Sequence, residues 1–299
     1  MRGKSHASLL LIEASYQILK EIEPASVRAV CYRLFTMGII PNMSKGSTGK
    51  VSKQLVYARE NGIIPWEWIV DETRAAEKIK AWTDTDSIIR AAVNGYRRDY
   101  WQEQPYRIEI WSEKGTVRGT LAPILDEYGV TFRAMHGYSS ATVINSIAEE
   151  SNMSSKPLIA FYCGDFDPSG KHMSDIDLPD RLERYGAEIT IQRIALLEAD
   201  VFDGDLPSFK ADTKTGDSRY QWFVSNFGHN CWELDAMSPV TLRECVQSSI
   251  VCKLDIEAWH RAIDIELVEK ASMQQFHQSW KNTQIANRGL SPFAQIQKE

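Results

Sequence analysis

The sequence predicts an α/β chain in which short helices come first, a parallel sheet covered by helices follows, and a mainly helical tail ends the chain. Two patterns predict it. Between residues 106 and 194, apolar strand-like runs alternate with amphipathic stretches of ten or more residues, the pattern of strands joined by crossover helices. Ahead of them, apolar residues recur at helical intervals between capping residues. The 299 residues suit about two domains, and a composition 43% hydrophobic and 25% charged is that of a globular chain. No apolar run approaches the ~18 residues of a membrane span. Leu9-Leu10-Leu11-Ile12 is broken at once by Glu13, so neither a span nor a secretory leader is expected. The five cysteines (Cys31, Cys163, Cys231, Cys245, Cys252) never form Cys-x-x-Cys and read as reduced thiols of an intracellular, cytoplasmic protein.

In the amino-terminal part, residues 7–22 are periodic and stop at Glu23-Pro24. Ser26 is placed as the cap of a second helix over 27–37, ended by Gly38 and Pro41. A Ser/Gly/Lys-rich loop over 42–49 leads to a third helix at about 50–61, closed by Gly62. The β-prone run 63–70, with Trp66 and Trp68 as packing residues, predicts the strand of a wing. Three short helices and a β-element predict a winged helix-turn-helix over 1–74, whose third helix enters a major groove. Residues 75–105 read as a helical connector, with a helix over 87–101 capped by Asp84 or Asp86.

The sheet region spans 106–203. Strands are predicted over 106–111, 130–135, 158–163 and 188–194, and helices over 115–128, 140–150 and 169–185. The tail, 204–299, opens with a polar loop over 210–219 and turns mainly helical.

The chain carries net charge −6. Residues 1–74 hold ten basic and seven acidic side chains, a net +3, which leaves −9 on the rest. A basic amino-terminal part on an acidic body fits DNA binding through one surface. Lys45, Lys50, Lys53 and Arg59 gather on or beside the third helix as candidate phosphate contacts, and Lys171 is another.

The sharpest motif is Gly164-Asp165-Phe166-Asp167-Pro168-Ser169-Gly170, directly after the apolar run 158–163. Asp165 and Asp167 stand two residues apart at the carboxyl end of a buried strand, the edge where open α/β sheets bind ligands. Clustered carboxylates repel unless a cation lies between them, and oxygen-only donors suit Mg2+ or Mn2+. Glu113 follows an earlier strand and is expected at the same edge, as a metal ligand or a general acid/base. His136 and His172 flank this region but are not expected as ligands, because such an ion prefers oxygen.

These residues resemble a known family. Glu113, followed by Asp165-x-Asp167 after a later strand, is similar to the Toprim domain, in the version of the topoisomerase VI A subunit and its relative, the meiotic double-strand-break transesterase. Arg28-Ala29-Val30-Cys31-Tyr32 is similar to that family's Arg-x-x-[Tyr/Phe]-Tyr pattern, and Gln192–Leu196 and Trp232–Ala236 resemble segments downstream of its Toprim core. The resemblance spans roughly residues 20–250. It implies Tyr32 as nucleophile with Arg28 beside it, and a divalent ion on Glu113, Asp165 and Asp167. It also implies a homodimer acting on double-stranded DNA near the nucleoid, a 5′-phosphotyrosyl intermediate, and a separate ATPase subunit for any strand passage.

Two other readings stay open at this point. One is a Toprim endonuclease that uses activated water, with the helical part only binding DNA. The other is a non-catalytic DNA-binding subunit whose acids organise a complex.

Overall fold

The computed structural model describes residues 4–70, 81–135, 139–202, 205–211 and 216–288. They belong to two compact units, one drawn from Met1–Thr73 and Pro105–Lys253, the other from Arg74–Gln104 and Leu254–Glu299. The amino-terminal helices thus share a unit with the sheet, and the stretch read as a connector joins the last helix in the other.

The first unit opens with α1 (His6–Ile22), capped by the Ser5 hydroxyl. After β1 (Ala25–Ser26), Ser26 caps α2 (Val27–Thr36) by accepting from the Ala29 N–H at 3.1 Å, as the sequence predicts. α3 (Lys45–Glu60) begins five residues earlier than expected, because Ser44 caps it and Gly46 and Gly49 are carried within the helix. Leu19, Val30, Leu34, Val51, Leu55 and Ile64 form the core among these helices.

The expected wing strand is corrected. Pro65 opens a 3-10 turn over Trp66–Trp68, and only β2 (Ile69–Val70) is extended, paired parallel to β1. A proline cannot donate to a strand ladder, so the β-prone run is cut short.

In the second unit, α4 (Thr85–Gly95) starts with a capping box between Asp84 and Ser87 and ends at Gly95, earlier than expected. The sheet of the first unit runs β3 (Arg107–Ser112), α5 (Val117–Tyr128), β4 (Thr131–Ala134), α6 (Ala141–Asn152), β5 (Leu158–Cys163), α7 (Pro168–His172), a π turn over Met173–Asp177, α8 (Leu178–Arg184) and β6 (Ile189–Ala195). Beyond it come α9 (Glu198–Phe202), β7 (Phe209–Lys210), α10 (Tyr220–Phe227), β8 (Asn230–Cys231) and α11 (Pro239–Val251). β7 pairs antiparallel with β8, so the expected polar loop begins on a short strand. The final α12 (Ile256–Arg288) belongs to the second unit, where its His277 and Lys281 meet Asp86 of α4 at 2.7 and 3.2 Å. In the same unit Tyr100 and Trp101 pack edge-on against Trp259.

Strand order in the main sheet is β4-β3-β5-β6, all parallel. β5 is buried along its whole length, which explains why its sequence reads as a continuous apolar run. The chain moves from β3 to β4 on one side and then crosses to β5 on the other, so β3 and β5 flank the topological switch point. α6 and α8 cover one face through Trp111, Ala160, Tyr162, Ile144, Ile147 and Leu178. α11 contacts β6 and α5.

Two devices join the amino-terminal helices to the sheet within this unit. A side chain at Gly119 on α5 would strike Val70, so glycine allows that close approach. The Arg243 guanidinium on α11 donates to the carbonyls of Ile22, Glu23, Pro24 and Thr120.

Candidate functional site

Ser112 and Cys163 are partners in the β3–β5 register, so Glu113 and Gly164-Asp165 leave adjacent strands at one edge, beside the switch point. The aspartate turn there is held from three directions. Phe166 is fully buried in an aromatic cage of Phe202, Phe223, Phe227 and Trp232, with centroids 5.4–6.0 Å away. Phe166 and Trp232 also exchange backbone hydrogen bonds of 2.9 and 3.0 Å. Behind the turn, the half-buried Arg193 donates to the carbonyls of Gly164 (2.8 Å), Gly170 (2.9 Å), Asp165 and Ala195 (3.3 Å each) and Leu196 (3.5 Å). Both glycines of the motif are sterically required. A Cβ on Gly164 would lie 2.5 Å from the Tyr162 ring, and one on Gly170 would meet the Asp165 carbonyl.

The Phe166–Trp232 bridge brings Glu233-Leu234-Asp235 against the turn. Asp165, only 8% exposed, accepts from the Leu234 N–H at 2.8 Å and from the Lys114 ammonium at 3.0 Å. The same ammonium reaches Asp235 at 3.0 Å. Burial pushes the Asp165 carboxyl up, and Lys114 draws it part of the way back. Lys114 is raised despite its own burial, because Asp165, Asp235 and Glu233 act on it together. Acid therefore outnumbers base around this ammonium.

Asp167 does a different task. Its Oδ1 accepts from the Gly170 N–H at 2.7 Å and caps α7. Glu113, Asp165 and Asp167 all act on the buried Tyr162 phenol, which burial first of all holds in its protonated form. Among the described residues no three His, Cys, Asp or Glu side chains stand ready as a metal-holding group. The cation that Asp165 and Asp235 share is Lys114.

Tyr32 lies on α2, 6% exposed. Burial raises its phenol to about 12, Glu233 adds to the rise, and Arg28 opposes it. The Arg28 guanidinium, one helical turn away, lies 5.7 Å from the Tyr32 ring centroid and forms a two-pronged ion pair with Glu233. Ser26, which caps the helix, also donates to Asp235 at 2.7 Å. Tyr32 lines a cleft of about 500 Å³ with Asp200, Asp205, Leu206 and Asp235. A neighbouring cleft of about 460 Å³ is lined by Arg28, Lys114, Asp165, Glu233 and Asp235. Asp235 belongs to both.

The candidate phosphate contacts divide. Lys45, Lys50 and Lys53 are exposed on α3, whereas Arg59 is half-buried with its guanidinium 4.8 Å from the Trp66 ring centroid. Lys171 is corrected. It is buried, ion-paired with Asp175 at 2.7 Å and set against Phe166 and Phe227, because α7 turns that face into the aromatic cage. His172 stacks edge-on with Trp222, and His136 lies outside the described residues.

Sequence reasoning missed Lys114, Glu233 and Asp235, and gave Arg193 no task. The visible signals were a lysine directly after the strand-end glutamate and two acids in the segment Trp232–Ala236. Neither a scan against protein-family models nor a search of the curated proteins finds a match to this chain.

The carboxylates at this sheet edge are oxygen donors of the kind a hard divalent cation takes, and two of them, Asp165 and Asp235, already share a positive charge. No described helix is long and apolar enough to cross a membrane.

Proposed function

We propose that this chain is a divalent-metal-dependent DNA-cleaving transesterase in which Tyr32 is the nucleophile, acting as a homodimer on double-stranded DNA. The observation that carries the reading is the linkage of the tyrosine helix to the acidic turn. Arg28 and Ser26, from the turn that starts α2, hold Glu233 and Asp235, and the Tyr32 cleft shares Asp235 with the cleft of Asp165 and Lys114.

In the proposed reaction the Tyr32 oxygen forms a bond to a backbone phosphorus. The bond from that phosphorus to the 3′-oxygen breaks, the phenolic proton passes to solvent, and the 3′-oxygen takes up a proton to leave as a hydroxyl. Arg28, always charged, clamps the phosphate as it gains negative charge. Asp165, Asp167 and Glu113 would hold Mg2+ or Mn2+, which supplies charge stabilisation at the phosphate when bound. Lys50 and Lys53 on the exposed side of α3 contribute sequence-independent phosphate contacts. Any strand passage would need an ATPase supplied by another chain.

The test is supercoiled plasmid with Mg2+ or Mn2+, stopped with detergent and run with and without protease. The expected result is linear and nicked DNA whose mobility depends on protease, lost in Tyr32→Phe. A Tyr32→Phe variant that still forms the adduct overturns the assignment.

A second reading, a metal-dependent endonuclease using activated water, is favoured by one observation: the Tyr32 phenol keeps its proton firmly, at about 12. Under that reading Tyr32→Phe cuts as the wild type does, with no adduct, and Asp165→Asn cuts nothing.

A further inference from the structure

Lys114 stands between carboxylates from two separate segments of the chain. It follows Glu113 at the end of β3, and its Nζ lies 3.0 Å from carboxylate oxygens of both Asp165 and Asp235. One of these acids comes from the turn after β5 and the other from the segment after β8. A single ammonium thus joins two chain segments across a cleft of about 460 Å³ that also holds Glu233 and Arg28. Its four-carbon stem is flexible and its head is a point charge, so it can leave without distorting the backbone. Arg193, by contrast, is fixed by five carbonyls.

We propose that Lys114 is a resident counter-cation that occupies the acidic cluster until a divalent ion displaces it, and that the freed ammonium then turns into the cleft to meet a phosphate. This rests on the metal reading above. Asp165 belongs both to the proposed metal set and to the pair that holds the ammonium, and a divalent ion beside that ammonium would be strongly repelled, so lysine and metal compete for this carboxylate. The exchange guards the buried Asp165 carboxylate, which would otherwise stand uncompensated whenever metal is absent. It also couples metal entry to delivery of a positive charge toward the DNA. Lys114 is therefore a positioning residue for the metal and a binding residue for the phosphate.

The experiment measures Mn2+ binding by electron paramagnetic resonance, with no DNA present, in the wild type, Lys114→Met and Asp165→Asn. The expected result is that Lys114→Met binds Mn2+ about tenfold more tightly than the wild type, since a competing charge is gone, and that Asp165→Asn loses binding. In the wild type itself, amine-directed methylation read by peptide mass spectrometry should label Lys114 at least about fivefold faster when Mn2+ is added, relative to the same ionic strength of NaCl. This second measurement stands even if Lys114→Met does not fold. Binding in the wild type with unchanged Lys114 labelling, or with equal or weaker Mn2+ affinity in Lys114→Met, overturns the exchange and leaves the metal reading intact. No Mn2+ binding in the wild type overturns both.

Discussion

At the scale of single residues, the proposed nucleophile is held in the wrong charge state for free reaction, and this has measurable consequences. Burial and the Glu233 carboxylate keep the proton on Tyr32 up to about 12. The phenolate fraction therefore climbs about tenfold for each pH unit well below that value, and the rate of adduct formation should climb with the same slope between about pH 7 and 9. Glu233→Gln removes one charge that raises the phenol and releases Arg28, so at fixed pH it should speed adduct formation; single-turnover rates across that range check both. Asp165 carries the opposite lesson. Its folded-state pKa lies above the ordinary carboxylate value, so the ionised form favours the unfolded chain, and stability falls as pH rises from that ordinary value through the raised one. Asp165→Asn in metal-free protein at neutral pH should then melt no lower than the wild type, and up to about 4 °C higher, while cutting no DNA. A scanning calorimeter and the plasmid assay together read this. A clear fall in melting temperature would mean that the carboxylate is there for structure.

At the scale of elements, what the sequence made legible and what it hid follow from local against non-local causes. β5 is legible with its bounds intact because a strand buried on both faces writes its environment into every residue from Leu158 to Cys163. The start of α2 was equally legible, since Ser26 caps its own helix. The wing was not, because a short β-prone run does not disclose that Pro65 will turn it into a 3-10 segment and leave two residues to pair with β1. Glu113 and Asp165 could be placed at one sheet edge from the parallel rule alone. Glu233 and Asp235 could not, because the Phe166–Trp232 bridge and the Lys114 ammonium bring them to Asp165 across more than sixty residues of chain. Arg193 shows how such non-local design is held. Its guanidinium satisfies five carbonyls of the turn and the strand end, and the Ser174 hydroxyl at 3.2 Å. Arg193→Met would strand several of these acceptors and should cost about 3–5 kcal/mol in denaturant unfolding. Arg193→Lys should recover little of it, since one point charge cannot serve a fork of acceptors. Full rescue by lysine would show that only the charge matters.

At the scale of the whole molecule, one chain offers a tyrosine cleft and an acidic cleft that meet at Asp235, and the charges acting most on Tyr32 are those of Glu233, Arg28 and Asp235. Glu113, Asp165 and Asp167 act instead on Tyr162. In the proposed homodimer the tyrosine and the acids of one site can come from the same chain or from two. Mixing variants decides between the two arrangements. Tyr32→Phe and Asp165→Asn should each be inactive alone. If the site is shared between protomers, a mixed dimer holds one complete site, made of the tyrosine from the Asp165→Asn chain and the acids from the Tyr32→Phe chain. Its other site lacks both. Co-refolded or co-expressed mixtures should then nick plasmid and leave a single-strand adduct, with no double-strand break, at up to about half of the dimers for random pairing. If each site is built within one chain, the mixture stays as inactive as its components, because every site lacks either its nucleophile or its acid. Nicking confined to the mixture thus reports a composite site directly, and silence assigns the tyrosine to its own chain's metal.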